Sequence, residues 1–108
     1  MIPYSDFQKL DLRVGKVISA ERVHGSEKLL KLMVDLGAEI GERQIIAGVG
    51  KVYSPEDMAG LEIIIVANLE PRSLMGLESQ GMLLAADSES GPILLKPGKD
   101  ALPGSRIK

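Results

Sequence analysis

Residues 28–37 read Lys-Leu-Leu-Lys-Leu-Met-Val-Asp-Leu-Gly. Leu30, Leu32, Val34 and Leu36 alternate there with Lys31, Met33 and Asp35, the period of two at which successive side chains fall on opposite faces of a strand. The pattern predicts a half-buried strand that Gly37 ends, and it puts Lys31 on the solvent side.

The same period recurs on both sides of this stretch. Upstream, Leu10, Leu12 and Val14 predict a first strand running to about Ala20. Gly15 within it marks a bulge or a sharp bend. Arg13 falls on the face opposite Leu12 and Val14, where pairing with Asp11 or Asp35 competes with a binding role. Val23, His24, Gly25 and Ser26 break the pattern as a loop. Downstream, a turn through residues 38–42 leads to a third strand over Arg43–Ala47, closed by Gly48 and Gly50. Ser54 then suits a helix N-cap, Pro55 the first helical position, and Gly60 the end of one short helix. Leu61–Ala67 carries the β-branched run Ile63, Ile64, Ile65, Val66, suited to a strand buried on both sides. Gly81–Ala86 makes a fifth strand. A turn at Ser88–Pro92, a short strand at Ile93–Leu95 and a Pro- and Gly-containing tail form a C-terminal extension over about 87–108. The expectation is an all-β chain, one domain over 1–108. Its layout is that of a five-stranded OB-fold β-barrel with a short helix between strands 3 and 4.

The 108 residues fit one core, and a chain this short gains from burying surface against a second copy. Thirteen Lys and Arg against fifteen Asp and Glu leave a net charge of −2, which excludes binding of polyanions by bulk positive charge. No apolar run approaches the ~20 residues that cross a bilayer, and the N-terminus lacks the regions of a signal peptide. The expectation is a soluble, cytoplasmic protein with no membrane partner. The absence of cysteine excludes disulfides, thiolate metal sites and a cysteine nucleophile.

Nor does the rest of the sequence assemble a catalytic constellation. His24 is the only histidine, stands in a polar loop, and has no second histidine at metal-ligand spacing. Ser54, Ser73 and Ser79 lack a nucleophile-elbow pattern. Gly48 and Gly50 match neither a phosphate-binding loop nor a dinucleotide fingerprint, and read instead as bends in a barrel strand. No catalytic residue, metal site or cofactor is expected. Tyr4, Phe7 and Tyr53 are the only aromatics, too few for a long base-stacking groove. A folded RNA recognised by shape, phosphates and 2′-hydroxyls fits such a surface better.

Three segments carry a family resemblance: Asp-Leu-Arg-Val-Gly-Lys-Val at 11–17, Ser26 to Gly37, and Asn-Leu-Glu-Pro-Arg-Ser-Leu-Met-Gly-Leu-Glu-Ser-Gln-Gly-Met-Leu-Leu-Ala-Ala at 68–86. In that order they resemble the tRNA-binding domain family over almost the whole chain. Within it, residues 66–86 and the ending at 93–108 are most similar to the C-terminal dimerisation and tRNA-binding domain, or β subunit, of methionyl-tRNA synthetases. The resemblance implies an OB barrel and a non-catalytic role in binding tRNA by shape and backbone to assist aminoacylation. The implied partners are tRNA, a second copy through the C-terminal tail, and the synthetase catalytic part in cis or as a separate chain. A protein-interaction or chaperone-like dimerisation module is the alternative from another class.

The resemblance also directs attention to particular side chains. Lys28 and Lys31 flank the start of the second strand, where the family implies contact with the tRNA backbone; solubilising lysines would look the same. Arg43 and Lys51 bracket the third strand, where extending one basic face competes with a role as ordinary exposed charges. Asn68 follows an apolar strand with both a donor and an acceptor, and Arg72 presents a fork suited to phosphate. Ser79, Gln80 and Met82 fall where the family places part of its tRNA surface. Their competing roles are satisfying loop backbone, for Ser79 and Gln80, and barrel packing, for Met82.

Overall fold

A computed structural model describes all residues 1–108. Strands β1 (Leu12–Arg22), β2 (Leu30–Asp35), β3 (Glu42–Ala47) and β4 (Glu62–Val66) form one antiparallel sheet with β7 (Met82–Leu83), in the order β3-β2-β1-β4-β7. This sheet curls into a nearly closed barrel, which bears out the OB-type all-β reading. Its interior holds Leu30, Leu32, Val34 and Leu36 from the opening stretch, together with Ile45, Ile63, Ile65 and Met58. All four residues of the run Ile63–Val66 are buried, as their β-branched composition predicts.

The helix between β3 and β4, α3 (Pro55–Met58), is set by a local device. The Ser54 hydroxyl accepts the Asp57 N–H at 3.2 Å, and the Asp57 carboxylate accepts the Ser54 N–H at 3.1 Å, a reciprocal capping box. Met58 is thereby delivered, fully buried, into the core. Gly60 leaves the helix at φ +87°, the left-handed conformation that glycine adopts without steric penalty.

Several expectations need correction. The bulge of β1 is at Ile18, not Gly15: Val17 pairs with Val34, and Ser19 pairs with Met33. Gly15 serves close packing instead, because a Cβ there would stand 2.5 Å from Val34 Cγ1. The inward face of the first half of β1 is also the opposite of the one expected. Arg13, Gly15 and Val17 share a face with Ile63 and Ile65, while Leu12 and Val14 are buried on the other side of the sheet beside Val66 and Ile64.

The turn before β3 contains a short helix, α2 (Gly37–Ile40), and another, α1 (Tyr4–Phe7), precedes β1. A hairpin of β5 (Arg72–Leu74) and β6 (Leu77–Ser79) occupies a stretch in which three-residue strands are too short to display a period. The expected fifth strand divides at Leu84. Its first half, β7, pairs with β4, and its second, β8 (Ala85–Ala86), pairs with β9 (Ile93–Leu94). The C-terminal tail then returns along β1: Gly104 N–H donates to Val14 O at 2.7 Å, and Ile107 N–H to Leu12 O at 2.9 Å. The extension therefore completes the sheet rather than hanging from it. No helix is long and apolar enough to cross a membrane.

Candidate nucleic-acid interface

β3 has one free edge, and residues 79–80 close it. The Gln80 N–H donates to Gln44 O at 2.8 Å, the Gln80 side-chain oxygen accepts the Gln44 N–H at 3.0 Å, and the Ser79 hydroxyl accepts the Ile46 N–H at 2.9 Å. Ser79 is 1% exposed and also donates to Gly81 O at 3.0 Å. The structure therefore corrects the expectation of a surface contact at Ser79: its hydroxyl is occupied inside the barrel wall, where it positions its neighbours. Gln80 keeps its side-chain amide N–H groups, and Met82, 38% exposed on β7, faces solvent in part rather than packing fully inside.

At this end of the barrel lies an open groove of about 720 Å³, and it brings together Arg43, Asn68 and Gln80. Arg43 enters from the start of β3, one guanidinium nitrogen donating to Ala67 O at 3.2 Å and Gln80 O at 3.3 Å. Asn68 ties β4 to the N-terminal segment, its amide donating to Lys9 O and accepting the Asp11 N–H, both at 2.8 Å.

Across the groove, Arg13 forks onto Asp11 at 2.7 and 3.3 Å and reaches Glu39 at 3.3 and 3.4 Å. Asp35, the other expected partner, instead accepts the Gly37 N–H. The hydrogen bonds from Arg13 hold the carboxyls of Asp11 and Glu39 below their ordinary values, and the same bonds, with the carboxylates' negative charge, push the Arg13 pKa higher still. With Glu70, the groove carries three carboxylates against Arg13 and Arg43. Its polarity suits hydrogen bonding to ribose and base edges better than capture of a bare phosphate.

The other expected residues lie elsewhere. Lys31 points outward from β2, as its register requires, and pairs with Glu21 at 2.6 Å. Arg72 is exposed on β5. Lys28 and Lys51 are exposed on the loops that follow β1 and β3, where Arg22 joins them. Arg22 was not singled out in the sequence, because nothing local distinguishes it from any charge at a strand end. Gly48 and Gly50 are not strand bends: they follow β3 and let these loops approach each other.

Comparison with known proteins gives this surface its context. The chain is 51% identical over its whole length to the methionine–tRNA ligase of Methanothrix thermoacetophila, and it spans only 16% of that relative. Among solved structures it is similar to a MetRS related protein from Pyrococcus horikoshii, with TM-score 0.92 and 36% identity over 100% of this chain and 98% of that one. It is also similar to the CsaA chaperone protein from Picrophilus torridus, with TM-score 0.93 and 30% identity over 100% of both chains. The model of the putative tRNA binding domain matches residues 12–106, a span that takes in every strand of the barrel and all of the groove's lining but Asp11, and the chain belongs to that family.

Proposed function

We propose that this domain binds tRNA without catalysing a reaction, pairs with a second copy of itself, and serves a methionyl-tRNA synthetase in the cytoplasm. Holding the tRNA would raise its effective concentration at a catalytic part located on the same polypeptide or on a separate chain. The proposed contacts are Lys28, Lys31, Arg43, Lys51, Asn68, Arg72, Gln80 and Met82, with Ser79 positioning the last two. One observation carries the proposal: the family match over 12–106 includes all nine residues, and eight of them are at least partly exposed. Pairing is supported by Ile93 at 50%, Leu95 at 42% and Leu102 at 80% exposure along the extension.

The likeness to a CsaA chaperone supports a second reading, a module that docks polypeptide. A mobility-shift titration with unfractionated tRNA at two salt concentrations separates the two. The triple variant Lys28→Ala, Lys31→Ala, Arg72→Ala is the comparison. Salt-sensitive binding that the variant loses is the result expected of phosphate contacts, since each neutralised phosphate releases counterions. Absence of binding by the unaltered chain leaves the protein-docking reading.

A further inference from the structure

The loop between β1 and β2 lies against the turn that follows β3, and glycine makes this possible. Gly50 N–H donates to Lys28 O at 2.7 Å. A Cβ on Gly50 would stand 2.8 Å from the backbone oxygens of Glu27 and Lys28, and 3.1 Å from a guanidinium nitrogen of Arg22. Any other residue there would force the two loops apart. Beside it, a Cβ on Gly48 would stand 3.0 Å from Lys28 Cε, so the lysine stem lies across that glycine.

Three cations stand at these two loops: Arg22 and Lys51 at a shared depression, and Lys28 with its stem across Gly48. Arg22 reaches across the junction, Nη1 donating to Gly50 O at 2.8 Å and Glu27 O at 3.3 Å, while Nε and Nη2 take no partner. Arg22 and Lys51 border an open depression of about 380 Å³ with Ser26, Glu27 and Gly50, none of them a hydrophobic residue. The ion pairs of the molecule are Lys9 with Asp6, Arg13 with Asp11 and Glu39, and Lys31 with Glu21. Arg22, Lys28 and Lys51 belong to none of them, and Glu27 is the one carboxylate in the lining.

We propose that Arg22, Lys28 and Lys51 form a phosphate seat for the RNA backbone, separate from the groove at Arg43, with Arg22 as its pre-oriented member. The proposal rests on the tRNA-binding reading and deepens it. The two regions share no lining residue: Arg43 stands at the start of β3, and Gly50 and Lys51 lie beyond its other end. Charge decides between them. The groove opposes its guanidiniums with three carboxylates, whereas the cations of the seat are in no ion pair. Two carbonyls already hold the Arg22 guanidinium, so little further freedom is lost when its remaining N–H groups fork onto phosphate oxygens. Lys28 and Lys51 add point charges, one from each of the two loops.

The test is the salt dependence of binding to unfractionated tRNA between about 50 and 200 mM salt, where each phosphate contact contributes about 0.7 to 0.9 to the slope of log affinity against log salt. Arg22→Gln and Lys51→Gln are expected to bind more weakly with a slope shallower by about that amount. Arg22→Lys is expected to keep the slope while binding less tightly. Lys99→Gln, outside the seat, is expected to match the unaltered chain. Lys51 makes no side-chain hydrogen bond, so its variant tests the seat even if loss of Arg22 loosens the loops. Weaker binding at an unchanged slope by Arg22→Gln and Lys51→Gln would reduce Arg22 to a loop brace and overturn the seat. Unchanged binding by Arg22→Gln and Lys51→Gln would overturn it while leaving the tRNA reading intact. No salt-sensitive binding by the unaltered chain would overturn both.

Discussion

The Ser79 hydroxyl accepts the Ile46 N–H at 2.9 Å, so a side chain stands where a neighbouring strand would ordinarily satisfy the free edge of β3. An exposed edge is a template for unwanted pairing, and closing it with a hydroxyl that also donates to Gly81 O completes the barrel wall. Ser79→Ala removes both bonds in a buried place and leaves Ile46 N–H and Gly81 O unsatisfied. Stability is expected to fall by about 1–3 kcal/mol, read as a lower urea midpoint. A smaller change than about 0.5 kcal/mol would mean that the edge closes without it.

Met58 is fully buried at the end of a short helix that starts with a capping box. Met58→Ala opens a cavity beneath α3 and is expected to lower stability by about 2–5 kcal/mol. Ser54→Ala removes the cap alone and is expected to remove about 1 kcal/mol. Chemical denaturation of the two variants ranks the contributions.

Met75 is the only residue other than glycine with positive φ, at +49°, and with Gly76 at +79° it forms the two-residue turn between β5 and β6. This is the geometry of a type I′ turn, which favours Asn-Gly, so methionine holds it under strain. Met75→Asn is expected to raise the thermal midpoint, consistent with relief of about 1 kcal/mol. An unchanged or lower midpoint would show that the 59% exposed side chain contributes packing that offsets the strain.

Arg13 holds the carboxyls of Asp11 and Glu39 below their ordinary values of 3.8 and 4.5. Below those values the unfolded chain takes up protons that the folded chain resists, so this contribution to stability is present above them and is lost as the pH falls. Urea midpoints measured from about pH 6 down to about pH 3 are expected to decline in the unaltered chain and to decline less in Asp11→Asn. Parallel curves would place the acid sensitivity elsewhere.

The sequence by itself determined what depends on near neighbours in the chain. Alternation at Leu30–Leu36 and the β-branched run Ile63–Val66 mark strands because a period of two is a property of the extended backbone. The helix start at Ser54 and Pro55 is legible too, because an N-cap and the residue after it act within one turn; the reciprocal bond from Asp57 emerged only in the structure. Only the tertiary structure decided which face of β1 points inward, since alternation fixes that two faces exist without saying which is buried. Arg13 occupies the core side, where the carboxylates of Asp11, just before β1, and of Glu39 in α2 converge on its guanidinium. Ser79 likewise bonds a residue 33 positions away, and the nine candidate residues divide between groove, outer strand faces and loop seat. Arg22 meets Gly50 across 28 residues, through a close approach that the absence of one Cβ permits. Contacts at such separations are set by how the barrel closes, which no local pattern encodes.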